Sequence, residues 1–177
     1  MADQKTVDVW YDRVEEHLKT FNWKKFHNTR KSVAPEGMSH KQLLTAHLGV
    51  VRRKCVGYCM SKAALKNPDF FFCLQQLAKA LNFECEVFTV NKNLICRPHY
   101  DAQIRGQSLT ISFGTFTNGR TVVEGQAIDT KRHPLKFDSR EMEHWTEPWL
   151  PADADRYCVV MYNLRYPEQR SEPLVEQ

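Results

Sequence analysis

The sequence predicts an α+β chain in which a helical layer supports a β-barrel or sandwich. Two observations carry this. Apolar residues recur at helical spacing up to about residue 83, and beyond it short runs of β-formers alternate with turn signals. A chain of 177 residues suits one domain with a sizeable core. The expected division is 1–83 as helical support, 84–167 as the barrel, and a flexible polar tail over 168–177.

Val7, Trp10, Tyr11, Val14 and Leu18 form the first helical stripe, ending at Phe21. Residues 27–38, with Pro35 and Gly37, read as a loop. A second helix is expected from Ser39, where Ser39 and Gln42 form a capping box and Leu44, Leu48 and Val51 supply the buried side. His47 lies on that stripe and reads as a satisfied histidine at the core edge. A third helix starts at Pro68-Asp69 and runs through Phe72, Leu74, Leu77 and Leu81.

Strands are expected at 85–90, 94–96, 108–113, 120–124, 135–137 and 157–164. Turn signals separate them at Arg105-Gly106, at Thr117-Asn118-Gly119 and from Pro148 to Asp155. Short strands at this spacing suit a sandwich or a jelly-roll barrel.

Apolar residues make up 42% and charged residues 26%, which excludes wholesale disorder. The net charge of +4 permits a nucleic-acid partner without requiring one. The six cysteines form no CxxC pair and read as buried, reduced thiols, with Cys55 and Cys59 sharing a helix face in the core. The first residues hold no apolar signal segment, and no window approaches the roughly 20 apolar residues of a membrane span. A soluble intracellular protein is the expectation, in cytoplasm or nucleus alike.

His99-Tyr100-Asp101 is the most informative tripeptide. Residues two apart in an extended strand share a face, so His99 and Asp101 are able to grip one ion. A third ligand would complete the 2-His-1-carboxylate triad suited to iron(II). An isolated HxD is also common among solvated loop residues. His133 and His144 compete for the third place.

The surrounding order is more specific. Asn91-Lys92-Asn93 precedes His99-x-Asp101 and Ser108. The run from Phe113 to Gly119 then reads as a hairpin with Val122-Val123-Glu124 as its return strand. Phe137-Asp138-Ser139-Arg140, His144-Trp145-Thr146-Glu147-Pro148 and Arg156-Tyr157-Cys158 follow. In that order, over about residues 85–164, the chain resembles the TET/JBP-type 2-oxoglutarate dioxygenases.

The resemblance implies a double-stranded β-helix, a jelly-roll or cupin-like barrel, that binds Fe(II) and 2-oxoglutarate. It implies hydroxylation of a C–H bond, in this family a methyl group of thymine or 5-methylcytosine in DNA. By it, His99, Asp101 and His144 are the metal ligands, and Arg156 binds the far carboxylate of 2-oxoglutarate. A guanidinium suits that task through paired, charge-assisted bonds. Cys158, Val160 and Tyr162 would share the inward face of the Arg156 strand. Cys158 departs from the family, which often has a hydroxyl there; Asn118-Gly119 replaces a glycine pair and still supplies a type I′ turn.

Asn91 and Asn93 end a strand and either turn the chain or point inward, where Asn93 would contact the co-substrate beside Arg156 and Cys158. Asn91, Tyr100 and Trp145 are placed at the substrate, with Trp149 as a further aromatic. Asp138 and Arg140 either pair to fix the loop of His144 or form a solvated turn. Three rivals stay open: a hydroxylase of the same fold acting on a small molecule or protein, a silent binding barrel, and a cupin-like metalloenzyme using another ion.

Overall fold

Asp3 opens helix α1 (Gln4–Thr20) by accepting from the Thr6 amide at 2.8 Å, which satisfies one of the first turn's orphan donors. The computed structural model describes residues 3–26, 33–36 and 44–166. Val7, Tyr11, Val14 and Leu18 are buried along one side of α1, as their spacing predicts. A short helix, α2 (Trp23–Phe26), follows.

The expected second helix is a strand. β1 (Leu44–Arg53) pairs antiparallel with β2 (Gly57–Met60) and with β3 (Val87–Lys92). Leu44, Leu48 and Val51 satisfy a helical period, but the pattern also alternates. Ala46 and Leu48 join the core on one face, while Thr45 and His47 point to the other. Gly49 pairs with Val87 at a φ of +112, and a Cβ there would collide with the Glu86 carbonyl, so this point of the β1–β3 ladder requires glycine. The capping run Ser39–Gln42 lies outside the described residues, as do most of the 27–38 loop and the 168–177 tail.

Cys55 and Cys59 therefore share no helix. Cys55 is exposed in the β1–β2 turn at φ +66, and Cys59 is half-buried on β2. The sheet thus begins near residue 44 rather than 84, interrupted by helices α3 (Lys62–Lys66) and α4 (Pro68–Ala80). Helix α4 starts on Pro68 and ends in a Schellman turn. Asn82 (φ +52) and Phe83 donate back to the carbonyls of Lys79 and Ala78. Its buried side is Phe70, Cys73, Leu74 and Leu77, whereas Phe72 faces solvent and meets Trp10 edge-on.

The remaining strands are β4 (Ile104–Gly114), β5 (Thr117–Asn118), β6 (Thr121–Val123), β7 (Gln126–Ile128), β8 (Leu135–Phe137), β9 (His144–Thr146), β10 (Trp149–Leu150) and β11 (Arg156–Leu164). The major sheet has the order β2-β1-β3-β11-β4-β8; β7-β6-β9 face it, with the small β10–β5 ladder. This is a double-stranded β-helix, the jelly-roll predicted from the sequence. No helix among the described residues is long and apolar enough to cross a membrane.

Three local expectations are corrected. Residues 94–96 form no strand. Arg105-Gly106 lies inside β4, where the register against β11 shifts, so the glycine marks a bulge rather than a turn. Val122 and Val123 do not return along β4. Asn118 and Gly119 both have positive φ, but the chain then crosses to the other sheet, and β6 pairs with β7 and β9.

The two faces of the major sheet differ in chemistry. Leu109, Ile111 and Phe113 of β4, and Tyr157, Val159 and Met161 of β11, pack under α1 and α4 in the main core. Their period-2 neighbours Ser108, Thr110, Arg156, Cys158 and Val160 line a cavity between the sheets. The apolar face holds the fold together, and the polar face is left for a site.

Candidate metal centre and anion clamp

His99 and His144 meet as an isolated antiparallel bridge, each amide donating to the other's carbonyl at 3.1 Å. The Asp101 amide donates to the Ser139 carbonyl at 2.9 Å, which keeps the backbone after His99 extended along this rim. His99, Asp101 and His144 each offer one ligand atom, all within 4.8 Å of one another. Nε2 of His144 lies 3.3 Å from Asp101 Oδ2, and Nε2 of His99 lies 3.8 Å from Oδ1.

The outer nitrogens are also committed. His99 Nδ1 lies 2.8 Å from the Arg97 carbonyl and His144 Nδ1 lies 2.9 Å from that of Met142. A carbonyl only accepts, so each Nδ1 carries the proton and each Nε2 presents its lone pair inward. That is the arrangement a metal-binding imidazole needs. Phe137 packs edge-on against His144, with centroids 5.1 Å apart. His133 is exposed, bonded to the Lys131 carbonyl, and outside this cluster.

Arg156 opens β11 and is 2% exposed. Its guanidinium lies over Phe116 and Trp149, and Nε donates to the Gly119 carbonyl at 3.0 Å. Nη2 is buried without a partner. The adjacent Asp155 does not supply one. Burial raises its pKa, but bonds from Lys92, Asn93 and Tyr157 outweigh this and hold it below the usual carboxylate range. Lys92 Nζ sits 2.9 Å from it.

Arg156 lines the same cavity as His99, Asp101 and His144. Among the described residues, the other buried side-chain atom without a partner is Ser139 Oγ, and it lines this cavity as well. Two unspent polar groups facing one hollow mark a place for a polar ligand.

Asn91 and Trp145 line this inner cavity, and Asn91 Oδ1 accepts from Thr45 Oγ1 at 2.8 Å. Tyr100 lies at an outer vestibule of about 380 Å³ that shares His99, Asp101 and Val160 with the inner cavity. Asn93 lies elsewhere. Its amide nitrogen donates to Asp155 and its oxygen accepts from the Arg156 backbone amide, so it anchors the start of β11 and does not line the cavity. Trp149 serves as a floor beneath Arg156, its ring nitrogen donating to the Ala154 carbonyl.

Asp138 accepts from the amides of Arg140 and Glu141, while the Arg140 guanidinium pairs with Glu141 instead. The loop before His144 is thus tied by Asp138 to backbone, not by an Asp138–Arg140 pair. Cys158 Sγ lies 3.3 Å from Thr110 Oγ1. Thr110 lines the cavity, so a hydroxyl stands beside the thiol where the resemblance led one to expect it on β11 itself.

Sequence reasoning missed Thr110, Ser139 and the chain His47–Thr89–Tyr162, linked at 2.8 and 3.1 Å along the vestibule. The alternation of Ser108, Thr110 and Ser112 with Leu109, Ile111 and Phe113 was the available signal. A strand with one polar, buried face announces a lined cavity.

No protein-family model matches the chain, and no curated protein matches it. Among solved structures, it is similar to "NgTET1 in complex with 5mC DNA", with a TM-score of 0.57 and 14% identity over 93% of this chain and 69% of that one. It is also similar to an oxidoreductase of the 2OG-Fe(II) oxygenase family from Burkholderia pseudomallei, with a TM-score of 0.52 and 10% identity over 92% of each chain. At these identities the likeness is one of fold. The fold and the site together define a double-stranded β-helix protein that carries a His-Asp-His group and a buried arginine in one cavity.

Proposed function

We propose that this chain is an Fe(II)- and 2-oxoglutarate-dependent dioxygenase that hydroxylates a methyl group on a nucleic-acid base, thymine or 5-methylcytosine. The observation that carries the chemistry is the orphaned Arg156 Nη2 in the cavity of His99, Asp101 and His144. Two neutral imidazoles and a carboxylate suit Fe(II) and leave adjacent coordination positions open. A buried guanidinium with an unspent donor suits the carboxylate of a small diacid held beside them.

His99, Asp101 and His144 would hold the iron, with both imidazoles oriented by the carbonyls of Arg97 and Met142. Arg156 would clamp the far carboxylate of 2-oxoglutarate, with Thr110 and Cys158 beside it. When bound, the metal and co-substrate supply oxidative decarboxylation to succinate and delivery of one oxygen atom to a C–H bond. The protein contributes position and the cavity between the sheets. The vestibule, bordered by Tyr100, His47 and Tyr162, would receive the base. A base in a duplex must first leave the stack, at a cost of roughly a few kcal/mol.

The base substrate is supported by the motif order of residues 85–164 and by the fold shared with NgTET1, which was solved with 5mC DNA. The test is succinate release from 2-oxoglutarate by iron-loaded protein, with and without oligonucleotides carrying thymine or 5-methylcytosine. DNA-stimulated release, lost in His99→Ala, with a one-oxygen mass gain on the oligonucleotide, is the expected result. Release indifferent to DNA would keep the enzyme class and reject the base substrate. Unaltered iron affinity in His99→Ala would reject the metal site.

A further inference from the structure

Two basic hollows adjoin the vestibule. The first, of about 670 Å³, is lined by Arg52, Arg105, Arg140 and Arg165 together with Tyr58 and Tyr166, and shares Ala102 and Gln103 with the vestibule. The second, of about 370 Å³, is lined by Lys25, Arg53 and Lys62, shares His47 with the vestibule, and has Arg52 in common with the first. Among the described residues, neither hollow has an acidic residue in its lining. Seven cations thus gather on one rim of a chain whose net charge is +4.

From these observations we infer that the rim is a backbone track: it grips phosphodiesters flanking the target nucleotide, so the substrate is a polynucleotide strand rather than a free base or mononucleotide. This rests on the nucleic-acid reading above and adds where the strand lies. Arg52 is on β1 and Arg105 on β4, strands that β3 and β11 separate in the sheet. Three strand spacings amount to about 14 Å, a length that suits several consecutive charges rather than one phosphate. All seven basic residues are exposed. Arg140 is engaged by Glu141 at 3.0 Å, whereas Arg52, Arg105 and Arg165 make no ion pair among the described residues.

The first hollow also contains an aromatic pair. Tyr58 and Tyr166 meet edge-on at 4.5 Å and are 36% and 39% exposed. Glu86 accepts the Tyr166 hydroxyl at 2.8 Å and fixes that ring. Arginines that follow a backbone beside an anchored aromatic face are the two components of single-strand binding. A phosphopeptide would need cations converging on one point.

The experiment is fluorescence anisotropy of a labelled single-stranded oligonucleotide carrying 5-methylcytosine, titrated with the full chain at several salt concentrations. The Arg52→Gln/Arg105→Gln/Arg165→Gln variant should bind at least about tenfold more weakly at low salt. Its slope of log affinity against log salt should fall by about 2, since each lost phosphate contact removes roughly 0.7. A variant of equal net charge, Lys5→Gln/Lys66→Gln/Lys79→Gln on the helical side, should keep the wild-type slope. The Arg→Lys triple variant at the three groove positions should keep it too, which separates lost charge from lost structure.

Equal losses in the groove and control variants would overturn the inference. So would wild-type protein binding a mononucleotide as tightly as the oligonucleotide, or binding anionic vesicles or a phosphopeptide in its place. Succinate release without oligonucleotide should be the same in wild type and the groove variant. If that release occurs but no oligonucleotide binds, the track is rejected while the oxygenase chemistry stands. If the oligonucleotide binds through the arginines and no succinate forms, the track stands while the oxygenase chemistry is rejected.

Discussion

Replacing Arg156 by methionine separates what the residue does for the fold from what it does for a ligand. Methionine retains an unbranched apolar stem of similar reach against Phe116 and Trp149, and it removes every donor. The loss to the unliganded protein is one bond to the Gly119 carbonyl at 3.0 Å and the guanidinium's contacts with the Phe116 and Trp149 rings, together about 2 kcal/mol. The gain is relief from a buried charge whose Nη2 has no partner, a penalty of about 1–3 kcal/mol for that donor. The two nearly cancel, so the unliganded melting temperature should move by no more than about 4 °C.

Ligand binding has no such compensation. Two charge-assisted bonds to a carboxylate together contribute about 3 kcal/mol, which is a factor of roughly 100 in Kd. Isothermal titration of 2-oxoglutarate into protein loaded with Mn(II), a redox-quiet substitute for iron, reads this directly. Metal affinity should be unchanged, because His99, Asp101 and His144 are intact. A variant Kd for 2-oxoglutarate within about threefold of wild type would refute the assignment. Arg156→Lys should fall between the two, since one ammonium cannot serve both the Gly119 carbonyl and a bidentate ligand.

Further predictions follow from the same geometry. Gly119→Ala introduces a Cβ about 2.9 Å from Trp149 Cβ and 3.2 Å from Arg156 Cδ and Nε, at a φ of +58°; it should weaken 2-oxoglutarate binding at least about tenfold while metal titration is unaffected. Glu15 is partly desolvated, but Arg132 at 2.6 Å and Lys19 at 3.0 Å hold its pKa below the ordinary value. Its stabilisation is therefore complete above the unfolded carboxylate pKa and is lost as pH falls through the folded one. Glu15→Gln should cost about 1.5 kcal/mol at pH 7, a drop of roughly 3–6 °C in melting temperature. The gap should close under acid, and one that persists below both pKa values would refute the ion pair as its source. Burial pushes the Cys85 thiol up to about 12, with Glu86 adding to the effect, whereas Cys55 is exposed. Alkylation at mildly basic pH should mark Cys55 and spare Cys85 until denaturant is added, as read by peptide mass spectrometry.

Helices α1 and α4 and strand β11 were legible because each displays its own period. One face repeats every three to four residues in the helices, and alternate residues face inward on the strand. The pair His99 and Asp101 was legible for the same reason, since two-residue spacing on an extended backbone sets a shared face. β1 misled because Leu44, Leu48 and Val51 satisfy a helical spacing. The competing alternation of Thr45 and His47 with Ala46 and Leu48 acquires meaning only once a polar cavity lies on one side of the sheet and a helical core on the other.

The sequence by itself determined the elements with strong local periods, the residue types of the candidate site and the order of the motifs along the chain. Tertiary structure alone decided that β6 crosses to the second sheet and that Asn93 is spent on the β11 backbone. It also decided that Arg156 keeps an unspent donor beside His99, Asp101 and His144, and that cations from β1, β4 and the end of β11 border one groove. The physical reason is common to all of these. Periodicity reports the dihedral preferences and burial of one segment, whereas pairing between distant segments is set by which closure of the chain buries the apolar face and satisfies the polar one.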